Sequence, residues 1–186
     1  MDITKADIFW GAFAEHLRSR LAAMPNWIEK YGNRTRWTQT LTEIVNAFGL
    51  EHGYQENGEV ANEYFRVDIV FSKWVRDQDP YAWDLDVAIE LENDPRSWFD
   101  EVTKLHHLNC GLRVIMTYQD YDDPAESLLS KVDRAVRLLK TRKYPAHSGE
   151  WLLIIGPYNW QNQTPFRAFR IHNHAAEELP EYRIFP

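Results

Sequence analysis

The sequence predicts an α/β (strictly α+β) fold in which a mixed central sheet is flanked by helices, with a helix in front and a β-rich tail behind. Three observations predict it. Trp83–Leu91 (WDLDVAIEL) alternates apolar and polar residues as a strand does and then runs through Asn93-Asp94-Pro95 into a helical pattern. Leu112–Tyr118 (LRVIMTY) and Trp151–Ile155 (WLLII) are nearly continuous apolar runs, the mark of strands buried on both faces. Between those two runs lies a long stretch of helical periodicity, so strands and helices are interleaved.

In chain order, Thr4–Met24 reads as a helix, with Ile8, Phe9, Phe13, Leu17 and Leu21 at helical spacing and Pro25 just beyond. Residues 26–36 read as a polar loop. Thr38–Phe48 is a second helix, with Leu41, Ile44, Val45 and Phe48 on one face, Glu43 away from it, and Gly49 as its stop. Leu50–Val60 reads as a short strand with a turn at Asn57-Gly58. Glu63–Val75 is the next strand, with Val67, Ile69 and Phe71 on one side and Arg66, Asp68 and Val70 on the other.

Asp77–Pro80 turns the chain into the Trp83 strand. Leu85, Val87, Ile89 and Leu91 should share one face of it, and Asp84, Asp86, Ala88, Glu90 and Glu92 the other. Ser97–Asn109 follows as a helix that buries Trp98, Val102 and Leu105, sets Glu101 and Lys104 together on one flank, and ends at Gly111. After the Leu112 strand, Asp122-Asp123-Pro124 opens a helix to about Lys143, with Leu128, Leu129, Val132, Val136 and Leu139 inward. Phe166–Ile171 and Tyr182–Phe185 read as late strands. The 186 residues suit one domain: 1–36 a helix and loop, 37–118 a core, and 119–186 a helix and strands that extend it.

Composition narrows the function. At 44% hydrophobic and 26% charged the chain is an ordinary globular protein. A single cysteine, Cys110, rules out an internal disulfide framework and suits a reducing compartment. No basic region with a long apolar run opens the chain and no stretch approaches the roughly 20 apolar residues of a membrane span, so the expectation is a cytoplasmic protein with no membrane partner. A net charge of −7 argues against a nucleic-acid coat protein, though not against an enzyme that meets DNA through one local basic patch.

The chemistry sits on the strands. Asp68 and Glu90 belong to neighbouring strands, and Glu92 lies two residues past Glu90, roughly 6.5–7 Å along the same face. Converging carboxylates repel, and the remedies are a raised pKa, a basic partner or a divalent cation. Mg²⁺ or Mn²⁺ suits such oxygen ligands, and Lys104 on the next helix could orient or activate water and stabilise charge on a phosphate. Each position also has a plainer reading: strand acids on a wet sheet face, a surface Lys104 paired with Glu101, and a solvated Glu43.

The element order αβββαβ, the Asp of RVDIVF and the acidic motif of IELEN resemble the PD-(D/E)XK nuclease superfamily, over about Thr38–Tyr118. The resemblance implies a restriction-endonuclease-like core and a Mg²⁺-dependent endonuclease acting on DNA. It makes Asp68 the first motif Asp and Glu90 its Asp/Glu. Glu92 stands where the family most often has lysine, so Lys104 would be a lysine migrated to the following helix. Glu43 resembles the acidic residue often found on the first core helix. Asp68, Glu90 and Glu92 would hold the metal. The alternative is an inactive nuclease-fold module, a homodimer or part of a larger complex, that binds nucleic acid or protein.

Other groupings are thinner. His106 and His107 point about 100° apart on a helix, so one should be near the core and one solvated. His172 and His174 have no further ligand to complete a zinc set. Cys110 reads as a buried small residue. Lys131, Arg134, Arg137, Lys140, Arg142 and Lys143 line one long helix, either as a solvated face or as a phosphate-contacting one.

Overall fold

The computed structural model describes residues 2–54, 58–64, 66–74, 83–94, 97–120, 124–140, 149–157, 165–172, 175–182 and 184–185. Seven strands form one sheet in sequence order: β1 (Gly58–Tyr64), β2 (Val67–Trp74), β3 (Trp83–Leu91), β4 (Leu112–Tyr118), β5 (Glu150–Gly156), β6 (Arg167–His172) and β7 (Ala175–Glu178). β1, β2 and β3 pair antiparallel, β3–β4 and β4–β5 pair parallel, and β6 and β7 return antiparallel. Each parallel pair needs a crossover, supplied by α4 (Phe99–His106) between β3 and β4 and by α5 (Pro124–Lys140) between β4 and β5.

The order of helices, strands and apolar runs puts two cores on the two faces of that sheet. On one face, α1 (Ala6–Ala22), α2 (Trp27–Tyr31) and α3 (Arg34–Gly49) bury Phe9, Phe13, Trp37 and Phe48 against Ile69, Val87, Ile89 and Val114. On the other, α4 and α5 bury Trp98, Val102, Leu105 and Leu128 against Val70, Ala88, Ile115 and Leu153. The central strands β4 and β5 touch both layers, which is why Leu112–Tyr118 is buried at every position. No described helix is long and apolar enough to cross a membrane.

Several elements differ from expectation. The polar stretch 26–36 contains α2, because Trp27 and Tyr31, one helical turn apart, both reach the core; Trp27 stacks on Phe185 and Tyr31 packs edge-on to Trp37. Gly49 is not a stop. The chain winds on through a π-type turn, Leu50–Tyr54, and reverses at Gly53, whose φ of 87° is one that glycine adopts freely. The strand expected over Leu50–Val60 therefore begins only at Gly58, and that expected over Glu63–Val75 is two strands parted at Arg66. Val67 packs in the α4/α5 layer, away from Ile69 and Phe71.

The face assignment of β3 also needs correction. A register shift opposite Phe71/Ser72 pairs Phe71 with Val87 but Ser72 with Leu85. The extra residue reverses the alternation below it. Leu85 joins the α4/α5 layer, and Asp86 turns the other way to accept from the Tyr54 hydroxyl at 2.7 Å, with Lys73 Nζ also 2.7 Å away.

The helix expected over Ser97–Asn109 is the shorter α4. Leu129 is exposed on α5, not inward. Among the described residues, Tyr182–Phe185 contributes one bridge, Phe166↔Tyr182, and the last strand is β7, where no strand was expected. The turns at Asn57, Asp77–Pro80 and Asp122-Asp123, together with Pro95, Arg142, Lys143 and His174, lie outside the described residues.

Candidate functional site

Three elements bring the site together. In the antiparallel β2–β3 ladder, Ile69 faces Ile89. Asp68 precedes the first and Glu90 follows the second, so the two acids are the next cross-strand neighbours. The contact is tied down by Asp68 Oδ2, which accepts from the Leu91 amide at 2.8 Å. Glu90 faces the α4/α5 layer and is only 1% exposed, so the carboxylate face of β3 is not a wet one there. The parallel crossover then lays α4 over that face.

α4 buries Val102, Leu105 and His106, and this orientation leaves Glu101 and Lys104 half-buried on its flank. Glu101 sits in the first turn, where the helix dipole favours an acid, and Lys104 in the last, where it favours a base. The Lys104 ammonium lies 2.7 Å from Glu90 Oε1 and 2.6 Å from Glu101 Oε2. It donates to the Arg66 carbonyl oxygen at 2.8 Å. That carbonyl belongs to the β1–β2 turn, where Arg66 takes a left-handed φ of 67°, a conformation costly for a residue with a Cβ.

The electrostatics follow from burial. Loss of water pushes the Glu90 carboxyl up to about 9, with Asp68 and Glu101 adding repulsion against the opposing pull of Lys104. Burial works against the Lys104 ammonium, yet Glu101 and Glu90 outweigh it and hold its pKa above the ordinary value. Glu90 Oε1 and Glu101 Oε2 are both buried, and the Lys104 ammonium at 2.7 and 2.6 Å is the charge that offsets them.

Glu92 is adjacent but turned aside. Its amide donates to Met116 O at 2.9 Å and its Oε1 accepts from the Asp94 amide at 2.6 Å. Burial, with Glu101 and Asp94 nearby, raises its pKa. Glu43 lies apart from this cluster: it is exposed on α3 and lines a cleft of about 350 Å³ with Arg20, Ala23, Met24, Pro25, Ile44 and Ala47. Of the five candidate residues, then, Asp68, Glu90 and Lys104 are gathered, Glu92 borders them, and Glu43 faces the α1–α3 cleft.

Two contributors escaped the sequence. Glu101 was visible only as a helical neighbour of Lys104; its part in a triad with Glu90 depends on how α4 crosses β3. The Arg66 carbonyl has no side-chain signature at all.

Among the described residues no three His, Cys, Asp or Glu side chains converge as a metal-ligand group. The point to which the oxygens do converge is held by the Lys104 ammonium.

The remaining groupings are structural. His106 is buried and His107 exposed. Cys110 is a buried free thiol, pushed up by burial. Arg113 is fully buried on β4, donating from Nε to Leu105 O at 3.0 Å and lying 5.3 Å from the Trp151 ring, so it caps the end of α4. Lys131 faces inward, 3.5 Å from Asp120 and over the Trp98 ring, while Arg134, Arg137 and Lys140 are exposed on α5.

No family model and no curated protein matches the chain.

Proposed function

We propose that this chain is a metal-dependent nuclease of the PD-(D/E)XK type that hydrolyses phosphodiester bonds in DNA. The observation that carries the reading is the meeting of Asp68, Glu90 and Lys104 across β2, β3 and α4, with the lysine delivered from the helix after the acidic motif. Asp68, Glu90 and Glu101, with Glu92 at the border, make the neighbourhood of Lys104 rich in hard oxygen donors. That donor set fits Mg²⁺ or Mn²⁺ better than a soft metal.

In this reading Asp68, Glu90 and Glu92 hold the cation. A divalent ion bound there would polarise a phosphoryl oxygen and lower the pKa of a bound water. Lys104 orients that water and stabilises charge as it develops on the phosphate. Glu90 holds Lys104 within reach of the scissile group. DNA approaches over the face where α4 meets the β1–β2 turn, and the exposed arginines of α5 offset the acidic total.

The test is a gel assay of plasmid and linear DNA with Mg²⁺ or Mn²⁺. Wild type should cut, and Asp68→Ala and Lys104→Ala should each lose about 100-fold or more, the scale on which positioned acid–base and charge-stabilising groups act. Equal cutting by either variant sinks the assignment. A second reading, an inactive module of the same fold that binds nucleic acid or protein, is favoured by one contact. Glu92, at the usual lysine position, turns its carboxylate to the Asp94 amide at 2.6 Å. Absence of cutting with retained DNA binding would select it.

A further inference from the structure

On the sheet face beneath α4 and α5, one buried hydroxyl is out of place. Thr117, near the carboxyl end of β4, is 1% exposed, and its Oγ1 has no hydrogen-bond partner among the described residues. Ile115 precedes it on the same face and Ile155 is its neighbour on β5; both pack in the α4/α5 layer. A valine of nearly the same shape would fill this place without burying a hydroxyl, so packing does not explain the threonine.

The neighbour on the other side is Glu92. The parallel register pairs Glu90 with Ile115 and Leu91 with Met116, and the Glu92 amide continues the ladder by donating to the Met116 carbonyl at 2.9 Å. That bond sets Glu92 beside Thr117, on strands about 4.8 Å apart, with both residues on the α4/α5 face. The Glu92 carboxylate is drawn outward, however. Its Oε1 accepts from the Asp94 amide at 2.6 Å, and the Ser97 side chain donates to the same group. An acid turned away and an unused buried donor thus stand side by side.

We infer that Thr117 is a positioning residue of the site, its hydroxyl an inward seat for the Glu92 carboxylate, which exchanges between that seat and the Asp94 amide. The inference rests on the nuclease reading and deepens it. In the outward seat Glu92 borders Asp68, Glu90 and Lys104 without joining them. In the inward seat it lies on the same face as Glu90, roughly 6.5–7 Å further along the strand, where the proposed chemistry uses it. Both seats offer a donor to the carboxylate, so the two states are close in energy and substrate selects the inward one.

Carbon-detected NMR of the Glu92 carboxyl in the free protein, at one fixed pH, tests the seat. Thr117→Val removes the hydroxyl and leaves Asp94, Ser97 and Glu101, the other polar neighbours of Glu92, in place. The carboxyl carbon should move upfield in Thr117→Val and return to its wild-type position in Thr117→Ser. No movement, or a movement that Thr117→Ser shares, overturns the inference and leaves Thr117 as core filling.

Cleavage of duplex DNA with Mg²⁺ tests the purpose of the seat. Thr117→Val should lower kcat by about 10-fold or more with KM for DNA within about 3-fold, and Thr117→Ser should recover the rate, the behaviour of a group that orients another. Equal cutting by Thr117→Val overturns the role in the reaction even where the carbon moves. Absence of cutting by wild type defeats the nuclease reading alone, and the NMR comparison still decides whether Glu92 uses Thr117.

Discussion

Glu90 is a carboxyl group taken out of water beside Asp68, Glu101 and the Lys104 ammonium, and its titration should be visible in the stability of the whole chain. Its folded pKa is raised from 4.5 to about 9, first by burial and then by Asp68 and Glu101. The folded state therefore holds a proton that the unfolded chain has released between those two values. Stability then falls as pH rises through that window. Glu90→Gln, which cannot titrate, should show a flatter profile, so urea melts of both proteins from pH 4 to 10 should diverge with wild type losing ground at the alkaline end. Parallel profiles would mean that Lys104 keeps Glu90 ionised throughout. At this same scale the candidate site was half legible: Asp68, Glu90 and Lys104 stand out as polar residues in or beside apolar patterns. The Arg66 carbonyl does not, since main-chain atoms leave no trace in residue type. Glu43 was drawn in by its place on the first core helix, and the fold turns it toward α1 instead.

At the scale of elements, α4 decides whether the site exists. It is only eight residues long, too short to be helical by propensity alone, and it is held by Val102 and Leu105 beneath it and by Arg113 at its end. Leu105 is fully buried and adjoins Lys104. Leu105→Ala should cost about 2–5 kcal/mol in urea melts, the usual range for an emptied core leucine. If cleavage occurs, the loss in rate at temperatures where the variant is still folded should exceed the fraction unfolded, because the lysine rides on the same turn. A variant that loses stability alone would show that Lys104 is positioned by its ion pairs and not by the helix.

The elements themselves were mostly readable, because strands β3, β4 and β5 carry their burial in their composition. What was hidden has physical causes. A one-residue bulge in the β2–β3 pairing flips Leu85 and Asp86, and nothing local announces it. The short helix α2 exists because Trp27 and Tyr31 find partners that are distant in sequence. Likewise β7, four exposed residues, is a strand only because β6 offers its edge, with Arg167 and Arg170 pairing to Glu178 and Glu177.

For the molecule as a whole the question is how a chain of net charge −7 would hold a polyanion. Much of its positive charge is already committed: Arg18 to Glu15, Arg20 to Glu51, Arg36 to Glu29, Lys73 to Asp86, and Arg167 and Arg170 to the acids of β7. On α5, Lys131 is turned inward to Asp120 and Trp98, but Arg134, Arg137 and Lys140 are exposed along one side of the same helix. The Arg134 guanidinium also rests 3.6 Å from the centre of the Phe99 ring, the first residue of α4, so this stripe begins next to the helix that carries Lys104. If DNA lies over that junction, each phosphate neutralised by the stripe should release counterions. The logarithm of the binding constant should then fall with the logarithm of salt at about 0.9 per contact. Arg137→Ala/Lys140→Ala leaves the Arg134–Phe99 contact and the buried face of α5 intact. It should weaken DNA binding at low salt by about 10-fold or more and shrink the salt slope by up to about 2, with thermal stability unchanged. Fluorescence anisotropy on a short duplex across a salt series reads both quantities. A slope identical to wild type would move the DNA path off α5 and leave those side chains as solvated charge.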